Sequence, residues 1–214
     1  MKFSREWAMP RSDTFDCKPI REFVLRHIAG RSVDPFARNK RWATFTNDIN
    51  PTTDAEHHMD AEDFLKMLAN QGVKADCLIL DPPYSPRQIS ECYAAAGLKC
   101  GMKDTQNAAL YARIRRAARA LLKTGSVVLS FGWNSAGMGA GFEKLEILLV
   151  AHGGAHNDTI CIAEKMLPQT SDAVHMQARQ VGCDHEWKHG DGRDDDVCTK
   201  CGQGFLTYVF MEAP

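Results

Sequence analysis

The tetrapeptide Asp81-Pro82-Pro83-Tyr84 places an acid, two prolines and an aromatic ring directly after an apolar run at 77–80. Prolines lack a backbone N–H and have a fixed φ angle, so a strand cannot continue through them. We therefore predict a buried parallel strand at the apolar run and a stiff loop at the tetrapeptide. Ligands of open α/β sheets bind outside the carboxyl ends of the strands, which would place Asp81 and Tyr84 at the mouth of a crevice.

These groups suit the activation of an amino group conjugated to a heteroaromatic ring, such as the exocyclic nitrogen of adenine. The Asp81 carboxylate and the Pro82 carbonyl can each accept one N–H bond, which draws the nitrogen lone pair towards an electrophile. Tyr84 can stack on the base, which must leave its duplex to reach such a site. The simpler structural alternative is a proline turn after a strand.

The tetrapeptide resembles the catalytic motif of amino-group DNA methyltransferases, chiefly those that act on adenine N6. The resemblance covers most of residues 5–167 and implies catalytic roles for Asp81, Pro82, Pro83 and Tyr84. It implies an α/β fold with a Rossmann-like class I methyltransferase sheet, mostly parallel with a terminal antiparallel hairpin. It also implies S-adenosylmethionine as cofactor, with Asp81 among its contacts, and DNA with a flipped adenine as partner.

Compact members of this family often belong to phages or restriction-modification systems. The resemblance therefore leaves a restriction endonuclease counterpart open as a partner, and the carboxyl-terminal segment leaves a homodimer open. It also suggests a protein of the bacterial cytoplasm, encoded by the cell, a phage or a prophage.

Thr14 and Phe15 precede a helix that apolar spacing predicts over about 19–29. They are similar to the family segment that closes over the methionine end of the cofactor. The purely structural alternative is a loop followed by a hydrophobic staple.

The segment 32–37 resembles the first cofactor motif of the family, which implies cofactor contacts for Asp34, Phe36 and Ala37. Arg38-Asn39-Lys40 stands where that motif usually has glycines. Close approach of the backbone to a ligand is harder there, and we expect a long side chain to point away from the cofactor.

A second strand is predicted over 43–51, because this segment is rich in β-branched and aromatic residues and ends on an acid before a proline. An acid in that place can bind both ribose hydroxyls, which makes Asp48 the ribose-binding candidate and Ile49 an apolar neighbour of the adenine ring. Asp60 is predicted to cap the next helix. Resemblance to the third family motif implies that Asp60 and Ala61 also contact the cofactor's adenine.

The remaining segments complete a predicted doubly wound domain. The stretch 85–104 shows neither a helical nor a strand pattern, whereas 105–122 has helical spacing closed by a glycine. A buried strand is predicted at 126–131. Two further apolar runs, 145–151 and 158–163, predict an antiparallel hairpin.

Four potential metal ligands lie near the carboxyl end: Cys183, His185, Cys198 and Cys201. Three thiols and an imidazole are the donors that tetrahedral Zn²⁺ requires, and four protein ligands leave no open position for catalysis. We predict a structural zinc ribbon over 183–214, a linker over 169–182 and a methyltransferase domain over 1–168.

The chain has 214 residues, a formal net charge of −1 and 44% hydrophobic residues, which is enough for one α/β domain with a small appendage. Its first residues lack the apolar core of a signal peptide, and no apolar stretch is long enough to span a bilayer. We therefore expect a cytoplasmic location and no membrane partner.

Three alternatives stay open at this point. Two keep the chemistry but change the target, to N4 of cytosine in DNA or N6 of adenine in RNA. The third is a non-catalytic adaptor for nucleic acid or protein, in which the zinc ribbon binds the partner. The absent glycines at 38–40 motivate this third alternative.

Overall fold

The structure is a computed structural model that describes residues 1–99, 101, 107–154, 156–168, 187–188 and 197–198. The chain divides into two compact units, Met1–Pro168 and Gln169–Pro214. Each unit is described below by itself.

The described part of the first unit contains one mixed sheet of seven strands. The strands are β1 (Lys2–Trp7), β2 (Ser32–Asp34), β3 (Phe45–Thr46), β4 (Ala75–Leu80), β5 (Leu122–Gly132), β6 (Phe142–Ala151) and β7 (Thr159–Met166). Their order across the sheet is β1-β6-β7-β5-β4-β2-β3. Neighbours from β3 to β5 are parallel, and β7 is antiparallel to both β5 and β6. The predicted α/β class and the antiparallel pair are confirmed.

The sequence led us to expect that the antiparallel pair ends the sheet, but it does not. Strand β1 lies beyond β6 and pairs with it in parallel, from Lys2 opposite Glu146 to Trp7 opposite Ala151. Five of the six β1 residues are exposed, which is typical of an edge strand and removes the apolar alternation that would reveal it.

Helices cover both faces of the sheet: a 3-10 helix (Thr14–Asp16), α1 (Lys18–His27), α2 (Ala61–Asn70), α3 (Pro86–Ala95) and α4 (Asn107–Arg119). Alternate residues of β4 point to opposite faces. Ile79 packs in one core cluster with α1, whereas Leu78 packs in a second cluster with α2 and α4. Burial on both faces explains the continuous apolar run that ends at Leu80.

Helix α3 lies in the stretch for which no regular structure was predicted. Ser85 caps it by accepting a hydrogen bond from the N–H of Gln88 at 3.2 Å, and Pro86 occupies the first turn. Ile89 is its one buried residue. The apolar periodicity was therefore too weak to indicate a helix, although Ser85-Pro86 is a recognisable start.

Gly125 was expected to close the fourth helix, but it lies inside β5, because α4 already ends at Arg119. The predicted second strand is likewise shorter than expected, since β3 covers only Phe45–Thr46. None of the helices in the described ranges has the length and apolar character needed to cross a bilayer.

In the second unit, β8 (Trp187–Lys188) pairs antiparallel with β9 (Val197–Cys198). The predicted zinc ligands Cys183, His185 and Cys201 lie outside the described residues, and Cys198 is described by its backbone alone. Among the described residues of the chain, no group of three or more His, Cys, Asp or Glu side chains could hold a metal ion.

Candidate functional site

A cleft of about 780 Å³ opens at the carboxyl edge of the parallel strands, within the size range of small-molecule sites. Strands β2 to β5 all end at this edge because they are parallel. Most of the predicted site residues line the cleft: Thr14, Phe36, Asp48, Ile49, Asp60, Ala61, Asp81, Pro82, Pro83 and Tyr84. The loop that follows β4 thus faces the same space as the acids that follow β3 and precede α2.

Three predicted cofactor residues do not line the cleft, because their side chains are buried. Phe15 is 2% exposed and packs edge-on against Phe131, with ring centroids 5.2 Å apart. The carboxylate of Asp34 accepts the N–H of Phe36 at 2.9 Å, and burial raises the pKa of Asp34 well above its ordinary value. Ala37 is 1% exposed. These residues support the cleft lining, and any direct contact with a cofactor stays a prediction.

Asp81, Tyr84 and Thr14 lie together in the cleft. The Tyr84 hydroxyl donates to Oδ1 of Asp81, and the nearby Thr14 side chain favours the ionised form of both residues. Burial raises the pKa of Asp81 to about 6, although Tyr84 and Thr14 oppose this shift. The backbone N–H of Tyr84 donates to Oε1 of Gln88 at 2.7 Å, which anchors the loop to the first turn of α3.

The ring of Tyr84 lies beside Trp133, with centroids 5.7 Å apart and planes inclined by 59°. Trp133 is 45% exposed and also lines the cleft. Two aromatic rings are therefore available next to the Asp81 carboxylate, which suits a planar heteroaromatic ligand.

The acids at the other end of the cleft are held by hydrogen bonds. Asp48 accepts the N–H of Arg38 at 3.1 Å through Oδ2 and the N–H of Asn50 at 2.8 Å through Oδ1. Asp60 caps α2, as predicted, by accepting the N–H of Glu62 at 2.9 Å. Its second oxygen accepts the hydroxyl of Tyr93, also at 2.9 Å. Each carboxylate oxygen has a second lone pair, so both acids can still accept a bond from a ligand.

Arg38 does not point away from the cleft, contrary to the expectation from the sequence. Arg38 lines the cleft, and its Nη1 donates to the carbonyl oxygen of Ser12, another lining residue, at 2.8 Å. The backbone of Arg38 has a φ of +48°, in the region that favours glycine. The residue that replaces a glycine thus keeps a glycine-like backbone.

Sequence reasoning missed several residues that line the cleft. His152 directly follows β6, which is parallel to β5, so the rule that found Asp81 would also have found it. Its ring nitrogens hydrogen-bond with the Ala8 carbonyl at 2.7 Å and the Thr159 hydroxyl at 2.8 Å. Tyr93 was missed because it lies on α3, whose sequence shows no clear helical pattern.

No protein-family model and no curated protein matches the sequence. Among solved structures, the chain is similar to SMU.776 in complex with SAH, at 14% identity and a TM-score of 0.49 over 70% of this chain and 49% of that one. It is similar to TrmN from Thermus thermophilus, at 14% identity and a TM-score of 0.44 over 70% and 48%. It is also similar to NSun6 from Pyrococcus horikoshii with SFG, at 12% identity and a TM-score of 0.43 over 64% and 48%. The chain spans about half the length of these proteins.

Proposed function

We propose that this protein transfers a methyl group from S-adenosylmethionine to the N6 amino group of adenine in DNA. The observation that carries the proposal is the meeting of Asp81, Pro82 and Tyr84 with Asp48 and Asp60 in one cleft. Carboxylates that follow parallel strands suit the hydroxyl and amino groups of a nucleoside. When bound, S-adenosylmethionine supplies an electrophilic methyl group on a sulfonium centre.

The residues of the loop after β4 orient the amino group. Ionised Asp81 accepts one of its N–H bonds and the Pro82 carbonyl accepts the other, so the lone pair of the nitrogen points along a defined direction. The ring of Tyr84 offers a stacking surface to the base. Its hydroxyl, together with Thr14, holds the Asp81 carboxylate in place.

The base and the polymer are tested together by a methylation assay on unmethylated DNA and RNA, followed by digestion and nucleoside analysis. We expect N6-methyladenine from DNA. N4-methylcytosine as the sole product, or methylation of RNA alone, would contradict this target and favour one of the two alternatives of the same chemistry.

Two substitutions should separate the roles of the acids in the cleft. Asp81→Ala should abolish turnover while leaving the dissociation constant of S-adenosylmethionine within about threefold, because Asp81 acts on the amino group. Asp48→Ala should weaken cofactor binding by about tenfold or more, as loss of a charged hydrogen-bond acceptor does. Calorimetry and single-turnover methylation measure the two effects. Equal loss of cofactor affinity in both variants would contradict this division.

The non-catalytic adaptor remains the alternative of a different class. It predicts no saturable binding of S-adenosylmethionine to the wild-type protein, which calorimetry detects directly. The cleft and its acids favour the enzyme instead, because an adaptor that binds through the other unit needs neither.

For the carboxyl-terminal unit we propose a structural zinc site formed by Cys183, His185, Cys198 and Cys201. A segment of about thirty residues with so few apolar side chains needs a metal ion or a covalent cross-link to fold. Metal analysis of the purified chain should find one zinc ion per molecule, and Cys198→Ser should lower that content. Cys92→Ser, a change of an exposed thiol in the first unit, is the control.

A further inference from the structure

Arg38 keeps a backbone conformation that is unfavourable for a residue with a side chain. Among the described residues, Arg38 is the only one other than glycine that has a positive φ. Such strain persists where the surrounding structure determines it, and it often accompanies a functional role.

The side chain and the backbone N–H of Arg38 both make hydrogen bonds at the cleft. The backbone N–H donates to Oδ2 of Asp48 at 3.1 Å, which aligns the acid that follows β3. The guanidinium donates to the carbonyl oxygen of Ser12 at 2.8 Å, which joins the loop between β2 and β3 to the segment ahead of the 3-10 helix. Two residues later, Lys40 pairs with Asp16 at 2.6 Å. Two cations of one loop thus bind the same amino-terminal segment.

That segment carries a residue of the candidate active site. Pro10, Arg11, Ser12 and Thr14 line the cleft, and the Thr14 side chain lies near Asp81 and Tyr84 and favours the ionised form of both. Arg38 bonds to the carbonyl of Ser12, and only Asp13 separates Ser12 from Thr14, so the position of Thr14 is linked to Arg38.

We propose that Arg38 is a positioning residue that ties the segment 10–14 across the cleft, so that this segment encloses the cofactor and holds Thr14 against Asp81 and Tyr84. This inference rests on the proposed function for the identity of the ligand. The tie itself is a property of the protein alone. If so, the arginine at position 38, where glycine is usual, strengthens the cofactor site and does not indicate that the site has been lost.

The test compares Arg38→Gly with the wild-type protein. Glycine removes the tie and also the backbone strain, so we expect a melting temperature that is unchanged or up to about 3 °C higher. We expect the dissociation constant of S-adenosylmethionine to rise about tenfold, the usual effect of losing a hydrogen bond from a charged donor. Arg38→Lys retains the positive charge and should recover part of the affinity.

Arg41→Ala is the matched control. The Arg41 guanidinium also donates to a backbone carbonyl, that of Asp54 at 2.8 Å, but Arg41 is exposed and does not line the cleft. This variant should bind the cofactor as tightly as the wild-type protein.

A second measurement needs no ligand. Amide hydrogen exchange of peptides covering 12–17 should be several-fold faster in Arg38→Gly than in the wild-type protein or in Arg41→Ala. The N–H of Phe15, bonded to Oδ1 of Asp13 at 3.0 Å, and that of Cys17, bonded to the Thr14 carbonyl at 3.2 Å, report on this segment.

The outcomes separate the two proposals. Wild-type protein that fails to bind S-adenosylmethionine would contradict the proposed function, while hydrogen exchange would still decide whether Arg38 ties the segment. Unchanged exchange in Arg38→Gly would overturn the tie. Tighter cofactor binding by that variant would show that Arg38 obstructs the cleft and would also overturn the inference.

Discussion

The carboxyl group of Asp81 can accept a hydrogen bond from an amino group only through a free lone pair, and the ionised form offers the most. Burial raises its pKa from the ordinary 3.8 to about 6, although Tyr84, Thr14 and the nearby charge of Arg38 oppose the shift. Asp13 is a neighbouring acid that favours the protonated form. The residue thus changes charge just below neutral pH.

We predict that kcat/KM for methylation falls about tenfold per pH unit below pH 6, as the Asp81 carboxylate becomes protonated. The pH profile of initial rates, measured in buffers of constant ionic strength, locates the pH below which kcat/KM falls. The fluorescence-detected melting temperature at each pH serves as a control for unfolding. An acid limb near pH 4 would show that Asp81 is not the group whose ionisation limits the reaction.

Glu146 joins three elements, because this buried β6 side chain accepts hydrogen bonds from β1 and α1. Lys2 donates to it at 3.1 Å, Arg26 at 2.8 Å and His27 lies at 2.9 Å. Burial alone would raise its pKa, but the bonds from Arg26, His27 and Lys2 outweigh burial and lower the pKa from 4.5 to about 2. The ionised form is therefore favoured in the folded protein.

We predict that Glu146→Gln lowers the free energy of unfolding at pH 7 by about 3 kcal/mol, the equivalent of this pKa difference. A lowered pKa gives stability that is present above pH 4.5 and is lost as the pH falls towards 2, so the two proteins should converge on acidification. Urea unfolding at several pH values measures both effects. Lys2→Gln, which alters a side chain that is 65% exposed, should cost less than about 1 kcal/mol. A similar loss in both variants would argue against a central role of Glu146.

The sequence predicted those elements whose residues are buried on a regular pattern. Strand β4 is apolar on both faces and ends at two prolines, so its position and the loop after it could be predicted. Strand β1 could not, because its residues are exposed and its partner β6 lies far along the chain. Helix α3 presents one buried residue, Ile89, which leaves no periodicity to detect.

The same distinction applies to the candidate site. Asp48 and Asp81 follow parallel strands, and the topology alone brings them to one edge. Whether a side chain there faces the cleft or the core depends on packing, which explains why Asp34 and Ala37 are buried instead. The tie from Arg38 to Ser12 depends on a loop path that no local pattern encodes.

At the scale of the whole molecule, the described residues that line the cleft all belong to the first unit, Met1–Pro168. We predict that a chain ending at Pro168 binds S-adenosylmethionine with a dissociation constant within about threefold of the full-length value. Calorimetry on both chains measures this, and circular dichroism confirms that the shorter chain is folded. A loss of binding by a folded shorter chain would mean that the second unit contributes to the cofactor site.

Strand β1 is formed by the first residues of the sequence, yet its parallel partner in β6 begins at Glu146. While the ribosome makes the protein, this segment must therefore wait until most of the first unit has emerged before it can pair. During that interval Phe3 and Trp7, which stay exposed even in the finished sheet, are carried on an unpaired strand. The nascent chain is consequently most open to chaperone binding or to misassociation at the segment that will form β1.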